Sequence, residues 1–142
     1  MKQRPRESFP PYHFVVTIPD KVYPFKNYIG GRWVRGERSY DAAIDRAYRK
    51  YGTGDCGLPI LLYREFFHFI GSLGIIYFAS LVAYNYFGGW SLLAFVFALA
   101  ALFLTYQEFI LQRRIYRQRW SKAVADWLVW CVPMVLALYL FA

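Results

Sequence analysis

The chain has 142 residues, a single domain's length, yet 58% of them are hydrophobic and 22% aromatic, with a formal net charge of +8. This apolar content lies above the range of soluble domains, and it is clustered: no Asp, Glu, Lys or Arg occurs from Phe66 to Gln107 or from Trp127 to Ala142. Two cysteines, Cys56 and Cys131, give no framework of pairs and suggest no disulfide.

The first eleven residues, with three prolines and several charges, read as an arm without a fold of its own. Basic residues there are followed by no apolar stretch, so the segment is expected to be neither a cleaved signal peptide nor a first anchor. "YHFVVTI" (12–18) is rich in β-branched and aromatic residues and predicts a strand ending at the turn signal "PDK". "NYIGGRWV" (27–34) predicts a hairpin, its two glycines suited to the positive φ of a tight turn. The same eight residues resemble a stretch near the N-terminus of aldehyde dehydrogenases. Nothing of that family's cofactor or catalytic region follows, and no family is assigned.

In "SYDAAIDRAYRKYG" the residues Tyr40, Ala43, Ile44, Ala47, Tyr48 and Tyr51 recur at helical spacing, predicting a one-sided amphipathic helix over 40–51. Ser39 suits its N-cap, Arg49 and Lys50 its last turn, and Gly52 its stop. The apolar stripe either covers the hairpin or lies in a headgroup plane; two short strands need a cover, which favours the first. The loop "GTGDCGLP" lacks the Lys-Ser/Thr of a phosphate loop. Cys56 within it has no identifiable catalytic base.

A spanning helix needs about 20 apolar residues, so the charge-free runs predict three: about 66–86, 90–111 and 123–142. The expected fold class is mainly α, a polytopic membrane protein with three transmembrane helices (63–142) and a small N-terminal cytoplasmic α+β or interfacial region (1–62). From Trp90 through Val132 no Gly or Pro breaks the chain. The second helix is therefore expected to continue through Arg113 to Arg119 before bending, with Ser121 capping the third.

"LQRRIYRQRWSK" carries Arg113, Arg114, Arg117, Arg119 and Lys122 with no acid among them. With three crossings it falls on the same side as the basic N-terminal region, which the positive-inside rule makes cytoplasmic, leaving the C-terminus outside. The five cations read as a topology anchor touching anionic headgroups, with Trp90, Tyr116 and Trp120 as interfacial anchors. Aromatics interleave the arginines as in single-strand binders, but flanking apolar runs argue against nucleic acid. A bacterial or organellar inner membrane is the expected location.

Three ionisable residues, His68, Glu108 and Asp126, fall at similar depth, each about one turn inside the basic boundary. Such groups are costly in a span and face the bundle interior, which makes them the candidate site for proton or metal handling. No HExxH-like spacing fixes them, and no metal set or cofactor is assigned. Lys122, four residues before Asp126, supplies an alternative ion-pair explanation. Gly71, Ala79 and Ala83 form a small-residue row for close packing within the chain or between copies. Pro133 is expected to kink the third helix, with Cys131 beside it an apolar filler. With no catalytic motif, the leading expectation is a non-enzymatic accessory or scaffold component of a membrane assembly. The alternatives are a membrane-embedded enzyme or proton/metal-handling unit at His68, Glu108 and Asp126, and an oligomeric channel or transport protein.

Overall fold

A computed structural model of the chain describes residues 17–52, 57–86, 89–116 and 118–141. Its backbone divides into two compact units, Met1–Ile60 and Leu61–Ala142. The predicted strand over 12–18 lies mostly outside the described residues. Its last residue opens a short helix, α1 (Ile18–Lys21), with Pro19 in the first turn.

In the first unit β1 (Asn27–Ile29) and β2 (Arg32–Val34) form an antiparallel hairpin with Tyr28 opposite Trp33. Gly30 (φ 57°) and Gly31 (φ 81°) make the two-residue turn, in which both central residues need positive φ. α2 (Glu37–Tyr51) begins two residues before the expected cap. Ser39 is therefore not the N-cap. It is fully buried, donates its hydroxyl proton to the Phe25 carbonyl and accepts from Asn27 Nδ2 at 2.8 Å. Asn27 in turn accepts from Arg46. This network fixes the hairpin on the helix, and the stripe Tyr40, Ala43, Ile44 and Ala47 is buried within the unit, with Tyr23 against Tyr40 (ring centroids 5.3 Å apart).

The second unit is built from three helices long and apolar enough to cross a membrane. α3 (Gly57–Tyr86) starts nine residues before Phe66 because Pro59 falls in its first turn, where no intrahelical N–H is needed. α4 (Trp90–Tyr106) passes into a π-helical turn (Gln107–Gln112) and a short α5 (Arg113–Tyr116). The second helix thus continues past the apolar run, as the lack of a breaker implied, but it ends at Tyr116, and Gln118 and Arg119 are not helical. α6 (Trp120–Phe141) begins at Trp120, so Ser121 lies inside its first turn and is not its cap.

Ala79 and Ala83 of α3, Leu93, Phe97 and Leu104 of α4, and Cys131, Met134 and Ala137 of α6 form the bundle core. Small residues allow the backbones to approach where lipid offers no hydrophobic drive. Gly71 shows this sharply: a Cβ there would lie 2.2 Å from the Trp130 ring. The row Gly71, Ala79 and Ala83 is thus used within the chain. Pro133 lies inside α6, and three residues before it the Trp130 carbonyl accepts from Ser72 Oγ at 2.7 Å, a hydrogen bond that ties α3 to α6. Large apolar side chains point outward, among them Phe78 (65% exposed), Leu102 (68%) and Leu140 (78%). That pattern suits lipid as the surrounding solvent and is consistent with an integral membrane location.

Candidate functional site

The polar residues of the bundle collect where the basic segment joins it. α3 carries Glu65 and His68 three residues apart, hence one above the other on one helix face. His68 Nδ1 donates to Glu65 Oε2 at 3.2 Å, and its ring lies 5.5 Å from that of Trp130. The clearance left by Gly71 places that indole, and the indole backs the imidazole.

Asp126, in the second turn of α6, is 1% exposed. Lys122 Nζ, one turn earlier, donates to both its oxygens at 2.7 and 2.6 Å, and Gln118 Nε2 donates to Oδ2 at 2.7 Å. The same ammonium lies 3.8 Å from Glu65 Oε1, which has no hydrogen-bond donor. One donor atom each of Glu65, His68 and Asp126 lies within 4.8 Å of the others. The Glu65 and Asp126 carboxyls thus come within 4.8 Å of each other, a proximity that two unscreened negative charges would not sustain. Lys122 is the cation found between them.

Glu108, on the π turn, is also 1% exposed. Gln107 Nε2 reaches its Oε1 at 3.2 Å, while Oε2 is buried without a donor. The π turn packs against α6, but Glu108 does not join the close group of Glu65, His68 and Asp126. A π turn re-aims a side chain relative to a straight α-helix and recurs at functional sites.

Of the three residues singled out by depth, the structure joins His68 and Asp126 and sets Glu108 beside them. Glu65 was missed. It precedes the charge-free run by one position and so read as part of the flank, yet the spacing "EFFH" puts it one helical turn from His68. Gln118 gave no sequence signal. Lys122, grouped with the headgroup-facing cations, turns inward instead, its side chain 10% exposed. Arg113 is also partly buried, its guanidinium 3.4 Å over the Trp120 ring. Arg114 and Arg119 are exposed, whereas Arg117 and the Tyr116 side chain lie outside the described residues. Trp90 and Trp120 are about half exposed, and Trp90 Nε1 donates to the Leu138 carbonyl at 3.3 Å.

The chain matches no protein-family model, and no curated protein and no solved structure is significantly similar to it.

Proposed function

We propose that this chain is a small integral membrane protein that holds a cation at the polar centre formed by Glu65, His68 and Asp126. The carrying observation is the convergence of these three donor groups, from two helices, on one small volume. Burying two carboxyl groups side by side in a span costs several kcal/mol per charge unless a positive charge lies with them. A purely structural ion pair needs one acid and one base. Here a second acid and an imidazole are added, with the donorless oxygen of Glu108 nearby.

The test is thermal unfolding of the full chain in lipid nanodiscs, stripped of ions and then given single cations at matched ionic strength. At least one cation is expected to raise the midpoint by several degrees, as ligand linkage requires, and Asp126→Asn to abolish that response. Identical midpoints in every cation would contradict the reading.

A second reading, an accessory component of a membrane assembly, is favoured by the exposed aromatic pair Tyr28 (61%) and Trp33 (67%) on the hairpin, aromatics being enriched where proteins dock. Gentle extraction at endogenous level tests it. Other polypeptides in fixed ratio support it, and a lone monomer or homo-oligomer removes it.

A further inference from the structure

We infer that the centre binds a divalent transition-metal ion through Glu65, His68 and Asp126, and that the Lys122 ammonium holds the metal's place until the metal displaces it. This rests on the cation-binding reading and names its ligand class.

The donor set selects the class. One imidazole with two carboxylates suits Zn²⁺, Fe²⁺ or Mn²⁺; Mg²⁺ and Ca²⁺ prefer oxygen alone, and Cu⁺ prefers sulfur. The spacing agrees with it. Ligands about 2.0–2.2 Å from one ion lie roughly 3–4 Å from each other, so donors already within 4.8 Å need to close by at most about 1–2 Å. Glu65 and His68 form a Glu-x-x-His pair on one helix face, a recurrent way for a helical bundle to present a carboxylate and an imidazole together.

Glu108 supplies an independent sign of a missing ligand. Its carboxyl is almost wholly buried, its Oε2 has no hydrogen-bond partner, and the π turn that carries it packs against α6. Buried polar atoms are nearly always partnered, and a metal ion or a molecule bound to it would partner this one.

Lys122 shows where the ion would sit. Its ammonium is within 2.7 Å of both Asp126 oxygens and 3.8 Å from Glu65, between the two carboxylates that would become ligands. It stands in the first turn of α6, on a four-carbon stem at the basic end of the bundle. Such a side chain can leave its acids and carry its charge to the aqueous boundary, still protonated. Metal entry then exchanges one cation for another within the carboxylate pair.

This has an unusual consequence: deleting the partner of a buried acid should improve the site. In equilibrium dialysis of the full chain in nanodiscs against Zn²⁺ and Mn²⁺, wild type is expected to bind one equivalent. Lys122→Met, or Lys122→Gln where the methionine variant does not fold, should bind at least tenfold more tightly. Glu65→Gln and His68→Ala should each weaken binding at least tenfold. Weaker binding by both Lys122 variants would overturn the placeholder role. No binding of either metal by any of these proteins would overturn the inference; the cation reading then survives only if a monovalent cation still shifts the unfolding midpoint, and falls with it otherwise.

Discussion

Asp126 accepts three hydrogen bonds, two from Lys122 and one from Gln118. Removing one partner of a buried pair leaves the other charge uncompensated, at about 3–5 kcal/mol. Lys122→Met in the metal-free protein, which leaves Asp126 buried without its cation, is therefore expected to lose stability of that order in reversible unfolding from mixed micelles, and Asp126→Ala less, because Lys122 can reach the aqueous boundary. Lys122→Met with Asp126→Asn together should lose much less than the sum of the singles; strict additivity would show that the two do not interact. Gly71→Ala places a methyl group against Trp130, and overpacking typically costs about 1–3 kcal/mol. That variant should also disturb the metal response, through the indole that backs His68, whereas Gly74→Ala, with open space around it, should not. In the first unit, burial among aromatic rings pushes the Tyr23 phenol up, against a smaller opposing pull from Arg46. The neutral form is thus favoured by folding. Its contribution is complete below the ordinary phenol value of about 10 and is lost as pH rises past it. Alkaline unfolding monitored on the hairpin tryptophan should shift upward in Tyr23→Phe; an unchanged profile would exclude Tyr23 as its source. The predicted spans over 66–86, 90–111 and 123–142 enclose His68, Glu108 and Asp126, and an ionisable group inside a span is conspicuous. Glu65 falls one residue before the first predicted span, where charge is ordinary, and only its spacing to His68 distinguishes it.

Local chemistry explains which elements were readable. The hairpin follows from Gly30-Gly31 between two strand-like triplets, and replacing Gly31 by Val, which resists positive φ, should cost the first unit about 1–3 kcal/mol. α2 follows from its stripe. Its start was misplaced because Ser39, a good capping residue, is used instead as a buried clasp between Phe25, Asn27 and the helix. The three long helices follow from apolar length, but their limits do not: Pro59 is tolerated at the start of α3, and the second helix, which the lack of Gly or Pro lets run on, ends at Tyr116 and not at Arg119. A π turn has no composition signature, so its effect on Glu108 was not legible. Pro133 was legible as an irregularity in α6, while the Ser72 hydroxyl on the Trp130 carbonyl was not. Ser72→Ala is expected to cost roughly 1 kcal/mol, typical of a hydrogen bond between helices in lipid; no measurable cost would mean that water or a shifted backbone satisfies that carbonyl.

Taken whole, the molecule joins a small α+β unit to a bundle whose outward surface is apolar and whose polar side chains gather at its basic end. We propose, from the positive-inside rule, that this end faces the cytoplasm, so a reporter fused after Ala142 is expected outside and one within the first unit inside. The opposite pattern would reverse the orientation and place the polar centre near the other face. A cation at the centre makes the three-helix packing and the chemistry a single feature, because α3 and α6 are bridged by the groups that would hold the ion. The most direct measurement is elemental analysis of the intact protein, extracted in mild detergent without chelators and compared with Asp126→Asn at equal recovery. About one divalent metal ion per chain in the wild type, lost in the variant, is the expected result. Metal absent from both, with the wild type folded and indifferent to added cations, would contradict it.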